Sequence, residues 1–172
     1  MTAKVSIIMG STSDLPVMEK ACQWLEDNEI PFEVNALSAH RTPDAVEAFA
    51  KGAQERGIKV IIAAAGMAAA LPGVIAAQTN LPVIGVPIKG MLDGLDALLS
   101  IVQMPPGIPV ATVGVNAAQN AAVLAAEMIA LSDPAVAEKV AAHKTGLGKK
   151  IEKANEELAA IKSYQFRVPR EA

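Results

Sequence analysis

Three neighbouring residues, Ser38, His40 and Arg41, form the part of the sequence best suited to chemistry. A histidine gains and loses a proton near neutral pH, so His40 can act as an acid in one step and as a base in the next. The guanidinium of Arg41 can bind two phosphate oxygens at once. This stretch predicts a site that holds a phosphorylated ligand and moves a proton on it. The alternative is an ordinary surface loop in which Thr42 caps a helix beginning at Pro43.

A second segment, Gly10 to Asp14, contributes hydroxyl groups and a carboxylate near the N-terminus. It follows a strand-like run and precedes a helix with Pro16 in its first turn, so that N–H groups and hydroxyls face an incoming anion. A phosphate or a ribose would fit there. The alternative is that Ser13 or Asp14 only caps the helix. The segment has neither the Gly-Lys-Ser/Thr of a Walker loop nor the spacing of a dinucleotide fingerprint.

The other reactive side chains are interpreted as structural. Cys22 falls in register with Met18 and Leu25 on one helix face, which predicts a thiol in the core. His143 lies beside Lys144 on an amphipathic tail and is expected to be solvated. Two separated histidines and one cysteine form no ligand cluster at zinc spacing, so we expect a reaction without a metal.

The elements that must position these residues alternate between short β-branched runs and helical stretches. This alternation predicts an α/β fold with a parallel sheet covered on both faces. The predicted strands are Val5 to Met9, Phe32 to Ala36, Val60 to Ala64, Val83 to Val86 and Val110 to Val115. The predicted helices are Pro16 to Asn28, Pro43 to Arg56, a short piece near Leu71 to Gln78, Leu92 to Val102 and Ala117 to Leu131.

In open parallel sheets, ligands bind beyond the carboxyl ends of the strands. This rule selects the loops 10–14, 37–43, 65–73 and 87–94, which are also the segments richest in Gly, Ser and charged residues. The loop at 64–73 has no ionisable side chain and is first explained by packing. Beside a phosphate site, it would exclude water and let the backbone approach a flat heterocycle.

One apolar run, from Val60 to Ala77, is long enough to be considered as a membrane span. Gly66 and Pro72-Gly73 interrupt it, and turn residues follow it. It therefore predicts a buried strand, a loop and a short helix, and no membrane association.

The composition limits the class of protein further. A length of 172 residues predicts one domain, 1–172, with a core at 1–132 and a C-terminal helix and tail at 133–172. Hydrophobic residues make up 52% of the chain and mean hydropathy is +0.33, so we expect apolar subunit contacts and a homo-oligomer. A net charge of -3 gives no general attraction for nucleic acid or an anionic membrane. The single cysteine and the absence of a signal-peptide pattern predict a reducing, cytoplasmic location.

The tail from Pro134 to Ile161 has the pattern of a long amphipathic helix, although Gly146 and Gly148 weaken it. Charged side chains occupy the opposite face, so we expect this helix to pack on its own or a neighbouring subunit. The apolar stripe consists of Val140, Leu147, Ile151, Ala154, Leu158 and Ile161.

Four motifs in the same order resemble those of the PurE family, the N5-carboxyaminoimidazole ribonucleotide mutases of purine biosynthesis. They are Met9-Gly10-Ser11-Thr12-Ser13-Asp14, Ser38-Ala39-His40-Arg41-Thr42-Pro43, Leu81-Pro82-Val83-Ile84-Gly85-Val86-Pro87 and Ser100-Ile101-Val102-Gln103-Met104-Pro105. The resemblance spans Val5 to Leu131. It implies a flavodoxin-like, Rossmann-like three-layer fold and a homo-octamer whose tail helix reaches a neighbour.

The resemblance also implies the reaction and the roles of particular residues. N5-carboxyaminoimidazole ribonucleotide would become 4-carboxy-5-aminoimidazole ribonucleotide, with no cofactor and no use of ATP, biotin or metal. The phosphoribosyl-imidazole substrate would come from the ATP-dependent carboxyaminoimidazole ribonucleotide synthetase. His40 would carry the proton and Asp14 would hold the ribose, while Ser11, Ser38 and Arg41 would hold the 5'-phosphate. The further substrate-binding residues would be Ser13, Ala65, Gly66 and Leu71.

The chain differs from the family pattern in the Gly-rich loop. Ala70 stands where members commonly carry a histidine, and Met67 stands where a glycine is usual. If that histidine positions the substrate or carbon dioxide, the rate would be reduced while binding persists. Two alternatives stay open: a related carboxylase that adds free carbon dioxide to aminoimidazole ribonucleotide, and a non-catalytic module that binds a phosphorylated metabolite.

Overall fold

The centre of the fold is a five-stranded, wholly parallel sheet with the strand order β2-β1-β3-β4-β5. The computed structural model describes residues 2–166 of the chain. The strands are β1 (Val5–Met9), β2 (Phe32–Ala36), β3 (Val60–Gly66), β4 (Val83–Ile88) and β5 (Ala111–Thr112). The prediction of a parallel α/β sheet is confirmed, but β5 is much shorter than the predicted Val110 to Val115.

Six α-helices surround this sheet in the described part of the chain. They are α1 (Leu15–Asp27), α2 (Pro43–Gly52), α3 (Leu71–Ala76), α4 (Leu95–Val102), α5 (Ala118–Ala130) and α6 (Pro134–Ala159). Helix α2 ends before the predicted Arg56, and α4 begins after the predicted Leu92. In α4 the delay has a local cause, because Leu92, Asp93 and Gly94 all have positive φ angles, which no α-helix can contain.

Two hydrophobic cores lie on opposite faces of the sheet. Because successive strand residues point to opposite faces, Ile7 faces one core and Ile8 the other. Helices α1, α5 and α6 cover the first face, and α2, α3 and α4 cover the second. The result is the predicted three-layer arrangement, in which every residue of β1 is buried.

Gly85 permits the close packing of α4 against the sheet. A Cβ atom at this position would lie 2.3 Å from Cγ2 of Ile101 and 3.0 Å from Cγ1 of Val110. The first distance is too short for a Cβ atom and the second is tighter than ordinary packing, so glycine lets α4 and the residue before β5 approach β4 directly.

Helix α6 is attached to the rest of the subunit over its first half. The Asp133 carboxylate accepts a hydrogen bond from the backbone N–H of Val136 at 3.3 Å and an ion pair from Lys4 at 2.5 Å. Val136 and Val140 are buried in the first core. The remaining large residues of the predicted stripe are exposed by 41–64%: Leu147, Ile151, Leu158 and Ile161. Within one subunit, therefore, only the first part of the stripe is packed.

The structure changes the interpretation of two reactive side chains. The expectation that His143 is solvated is wrong, because its Nδ1 accepts a hydrogen bond at 3.3 Å from Nε1 of the buried Trp24. The two rings also pack edge to face with their centroids 5.2 Å apart. Cys22 is only partly buried at the edge of the first core, whereas Met18 and Leu25 beside it are fully buried.

The apolar run from Val60 onward forms strand β3, a loop and helix α3, as predicted. Among residues 2–166, no helix combines the length and apolar character needed to cross a membrane.

Candidate active site

The loops that follow β1, β2, β3 and β4 meet at the carboxyl edge of the sheet and enclose a cavity of about 510 Å³. The strand register brings them together, since Met9 at the end of β1 pairs with Ala36 of β2 and Ala64 of β3. All of the residues predicted to bind substrate or move a proton line this cavity: Ser11, Ser13, Asp14, Ser38, His40, Arg41, Ala65, Gly66 and Leu71. The structure thus brings the whole predicted set to one place, while the role of each residue stays a prediction.

The loop after β1 forms a short 3-10 turn at Thr12–Asp14 before α1. The Ser11 hydroxyl caps this turn by accepting a hydrogen bond from the N–H of Ser13 at 3.2 Å. No capping hydrogen bond from the Asp14 side chain to α1 is present in the described structure. Asp14 lines the cavity and its side chain does not cap the helix, which disfavours the purely structural interpretation of this residue.

Partial burial alters the acidity of Asp14. Removal of the carboxylate from water raises its pKa above the ordinary 3.8, and the hydrogen bond from the Ser13 hydroxyl opposes this increase. An ionised carboxylate in this position is short of hydrogen-bond donors. Hydroxyl groups of a bound sugar would supply such donors.

Arg41 is held in place by the loop after β1 and by its own loop. Its Nη2 donates to the carbonyl oxygen of Gly10 at 2.7 Å, and its Nε donates to the Ser38 hydroxyl at 3.3 Å. Arginine has five N–H donors in a planar fork, so the donors outside these two bonds are free to bind an anion. The guanidinium is thus oriented before any ligand arrives.

Thr42 closes the loop after β2 and does not cap helix α2. Its hydroxyl accepts a hydrogen bond from the N–H of Ser38 at 3.0 Å and donates one to the Ser38 carbonyl at 3.1 Å. The turn places His40 at the exposed mouth of the cavity, one residue before Arg41. The imidazole can therefore exchange protons with both solvent and a bound ligand.

The loop between β3 and α3 forms an uncharged wall. Ala65, Gly66 and Leu71 line the cavity together with Ala70, which precedes the first turn of α3. Met67 adopts a left-handed backbone with φ of 53°, a conformation that favours glycine. This geometry gives a physical reason for glycine at this position in the family pattern, from which the chain departs.

Sequence reasoning selected the loop after β4 but named none of its residues. Ile88, Lys89 and Gly90 line the cavity from this side. The available signal was the position of Lys89, immediately beyond the carboxyl end of a buried strand. Its backbone N–H donates to Oδ1 of Asn116 at 2.9 Å, and its ammonium lies 3.0 Å from Oδ1 of Asp93.

A larger cavity of about 780 Å³ lies at the opposite edge of the sheet. Its lining includes Gln54, Gln78 and Thr79, and the ammonium of its Lys51 is paired with Glu47. Among the described residues that line it there is neither a histidine nor an arginine. The chemistry of the side chains therefore favours the smaller cavity as the active site.

These observations define the class of protein: an α/β enzyme whose active site lies at the carboxyl edge of a parallel sheet and is equipped for an anionic ligand. The family model described as AIR carboxylase matches residues 4–150, and the chain belongs to this family.

Two mutases illustrate the similarity. The chain is 62% identical to N5-carboxyaminoimidazole ribonucleotide mutase of Pyrococcus abyssi, over 80% of this chain and 79% of the relative. It is 52% identical to the mutase of Mycobacterium tuberculosis, over 92% of this chain and 91% of the relative. The crystal structure of Treponema denticola PurE superposes with a TM-score of 0.82 at 30% identity and covers 91% of this chain and 98% of that chain.

A third relative is a longer protein. Phosphoribosylaminoimidazole carboxylase of Saccharomyces cerevisiae is 58% identical over 79% of this chain but only 24% of its own length. The chain thus corresponds to one part of that carboxylase and to most of each mutase.

Proposed function

We propose that this chain converts N5-carboxyaminoimidazole ribonucleotide into 4-carboxy-5-aminoimidazole ribonucleotide, a step of purine biosynthesis. The observation that carries the proposal is that one cavity of about 510 Å³ is lined by the oriented Arg41, by His40 and by the uncharged loop between β3 and α3. Similarity to named mutases of 62% and 52% identity supports it.

Arg41, with Ser11 and Ser38, binds the 5'-phosphate of the substrate. The planar fork of Arg41 is already fixed by Gly10 and Ser38, so that little side-chain freedom is lost when the phosphate binds. Asp14 accepts hydrogen bonds from the ribose hydroxyls, and Ser13 adds a further polar contact. Ala65, Gly66 and Leu71 enclose the imidazole ring.

His40 moves the proton in both halves of the reaction. As an acid it protonates the carbamate nitrogen, the bond between that nitrogen and the carboxyl carbon breaks, and carbon dioxide is released within the cavity. The ring carbon then attacks carbon dioxide, and neutral His40 removes the proton from that carbon. A carboxyl group and a proton have exchanged places, so nothing is oxidised and no co-reactant is consumed.

The uncharged wall assists the first half of this reaction. A carbamate carboxylate loses solvation when it lies against alanine and glycine, whereas neutral carbon dioxide does not. Release of carbon dioxide is therefore favoured beside this wall, and the same wall keeps the released molecule near the ring carbon. Ala70 contributes only a methyl group to this wall.

A second candidate function is the carboxylase reaction, in which free carbon dioxide adds to aminoimidazole ribonucleotide. The 58% identity to the carboxylase of Saccharomyces cerevisiae favours keeping it as the competitor. Both reactions need the same phosphate site and the same histidine, so that only the choice of substrate separates them.

The test is an ultraviolet assay of product formation from the carbamate and, separately, from aminoimidazole ribonucleotide with bicarbonate. We expect turnover of the carbamate at low bicarbonate, its loss in His40→Ala, and retained binding of aminoimidazole ribonucleotide in that variant. His143→Gln is the matched control, because it removes the chain's other histidine, can still accept the hydrogen bond from Trp24 and leaves the cavity lining unchanged. Preference for bicarbonate would replace the mutase with the carboxylase.

Ala70→His distinguishes a slow enzyme from a non-catalytic module. If the wild-type chain binds the ribonucleotide but turns it over slowly, a histidine at the start of α3 is expected to raise the rate. If neither protein forms product from either substrate, the enzyme proposal fails and the binding module replaces it.

We also propose that the chain assembles as a homo-octamer in which the exposed part of α6, after Val140, packs on a neighbouring subunit. The end of the predicted tail, residues 167–172, lies outside the described structure. Two exposed apolar stripes support subunit contacts: the outer part of α6 and a stripe on α4 with Leu95, Leu99 and Val102 exposed by 45–54%. Sedimentation of Leu147→Glu with Ile151→Glu should show smaller species, whereas Lys149→Glu on the polar face should not change the assembly. A wild-type monomer would overturn this proposal.

Two further proposals concern cellular context. A cytoplasmic location is supported by the single cysteine, Cys22, which is free.

Transfer of the carbamate from the ATP-dependent carboxyaminoimidazole ribonucleotide synthetase is supported by the instability of a free carbamate. The test combines the synthetase, increasing amounts of this chain and a reagent that consumes free carbamate. Direct transfer predicts that product still forms in the presence of the reagent, and complete loss of product would contradict it.

A further inference from the structure

The candidate active site contains two cationic side chains that enter from opposite sides. Among the described residues lining the cavity, Arg41 and Lys89 are the only lysines or arginines. Arg41 follows β2 and Lys89 follows β4, with β1 and β3 between them. Three inter-strand spacings separate these strands by about 14 Å, and both side chains are long enough to reach inward from that span. One ligand can therefore meet both charges only if it is anionic at two ends.

The backbone of Lys89 is fixed although its side chain is exposed. Asn116, itself in a left-handed conformation with φ of 58°, accepts the Lys89 N–H through Oδ1 and donates its own N–H to the Pro87 carbonyl, both at 2.9 Å. These bonds connect the end of β4 to the loop after β5. The base of the lysine side chain is thereby held at the edge of the cavity.

The loop that follows gives Lys89 a local counter-ion. Leu92, Asp93 and Gly94 have φ angles of 47°, 55° and 88°, which is disfavoured for the first two residues. This turn returns the Asp93 carboxylate to 3.0 Å from the Lys89 ammonium. Both groups are exposed, by 88% for Asp93 and 59% for Lys89, so the pair is weak and open to exchange with another anion. Strained backbone of this kind is typical of functional sites.

We infer that Lys89 binds the ring carboxylate of the product, exchanging Asp93 for it, while Arg41 binds the phosphate at the other end. The inference rests on the proposed function, which supplies a ligand with two anionic groups. This ring carboxylate is absent from aminoimidazole ribonucleotide, and in the carbamate the carboxylate is instead on the exocyclic nitrogen, against the uncharged wall. Lys89 therefore favours the carboxylated product over aminoimidazole ribonucleotide and contributes to binding after the carboxylate has moved to the ring.

The test compares the affinities of two ligands that differ by this carboxylate. Calorimetry should show that Lys89→Met weakens 4-carboxy-5-aminoimidazole ribonucleotide about tenfold or more, as expected for the loss of a charge-assisted hydrogen bond, while affinity for aminoimidazole ribonucleotide is retained. Asp93→Asn should strengthen binding of the carboxylated ligand, because the resident counter-ion is gone. In turnover, Lys89→Met should leave KM for the carbamate close to the wild-type value, because the carbamate carboxylate lies against the uncharged wall.

Two control variants separate a ligand contact from a general effect of charge or folding. Lys20→Met removes an exposed lysine outside the cavity and should change neither affinity. Asn116→Ala should weaken the carboxylated ligand selectively, since it releases the anchor of Lys89 without removing the ammonium. Equal losses for both ligands in Lys89→Met, or no loss for either, would overturn the inference. Failure of the wild-type chain to bind either ribonucleotide would instead overturn the proposed function beneath it.

Discussion

Nη2 of Arg41 lies 2.7 Å from the carbonyl oxygen of Gly10, a residue 31 positions earlier in the chain. The bond joins the loop after β2 to the loop after β1, so the two sources of phosphate ligands are held in a fixed relation. Arg41 is exposed and contributes little to the core, which separates its role in binding from the stability of the fold. A lysine keeps the positive charge but cannot maintain this bond together with a planar contact to phosphate.

Arg41→Lys should therefore raise the Kd for aminoimidazole ribonucleotide about tenfold or more, with an unchanged melting temperature. Arg56→Met should have the opposite effect, with lower stability and unchanged binding. The Arg56 guanidinium pairs with Glu33 at 3.2 Å and lies 5.0 Å from the centroid of the Phe49 ring, away from the cavity. That variant should melt earlier and bind normally. Calorimetry and thermal denaturation check both, and a normal Kd in Arg41→Lys would contradict the phosphate role.

The contribution of Asp14 to stability should depend on pH as expected for a carboxyl group whose pKa is raised by folding. Burial makes the folded chain hold this proton more tightly than the unfolded chain, so stability falls as pH rises from 3.8 through the raised folded value. Asp14→Asn should consequently melt at a higher temperature than wild type at pH 7 and lose this advantage near pH 3. It should also bind the ribonucleotide more weakly, because it lacks the carboxylate for the ribose.

Asp133 provides a control of opposite sign. Hydrogen bonds from Lys4 and from the backbone of Val136 lower the pKa of Asp133, and the resulting stability is lost as pH falls through its folded value. Asp133→Asn should melt earlier than wild type at pH 7, with a difference that shrinks in acid. Parallel pH profiles for the two variants would contradict both assignments.

Replacement of Met67 by glycine should be tolerated better than its replacement by a β-branched residue. The φ of 53° at this position costs a non-glycine residue about 1–2 kcal/mol, and Met67→Gly removes that cost. Glycine also increases the conformational entropy of the unfolded chain, but this lowers the free energy of unfolding by less than the strain that is removed. Met67→Val should lower the free energy of unfolding by about 1 kcal/mol or more. Ala68→Val, at the neighbouring exposed position, should have little effect. Urea denaturation measures all three, and equal stability of the glycine and valine variants would refute the strain.

The contact between Trp24 and His143 should be visible by fluorescence, because Trp24 is the only tryptophan. His143→Ala leaves the indole N–H of a side chain that is 6% exposed without its acceptor, at a cost of about 1 kcal/mol, and should shift the emission to longer wavelength. His143→Gln can still accept the bond and should stay close to wild type. Lys144→Ala, which breaks only the exposed pair with Glu127, should leave the emission unchanged.

The sequence predicts the inner strands well because their residues face apolar layers on both sides. Val60 to Ala64 is apolar at every position, which predicts a strand buried on both faces, and the structure places it at the centre of the sheet. The edge is harder to predict. Only Ala111 and Thr112 of the predicted last strand pair with β4, since an edge strand has one neighbour and is bounded here by Pro109 and Gly114.

The site was predictable wherever a residue type carries its own chemistry, as His40 and Arg41 do. Lys89 was missed because a lysine after a strand resembles any solvated lysine until the strand order places it opposite Arg41. His143 was misread for a similar reason. Its partner is 119 residues away, and only the packing of α1, α5 and α6 on the same face of the sheet brings the two side chains together.

The cavity has walls from four loops that belong to four different strands, so no part of the chain can form it alone. A ligand that fills it binds the folded sheet as a whole and cannot bind the unfolded chain. By mass action, such a ligand at about one hundred times its Kd adds about 2.7 kcal/mol to the free energy of unfolding of the entire molecule. Thermal-shift screening of small anions and nucleotides would therefore report on this cavity without a label and without an activity assay.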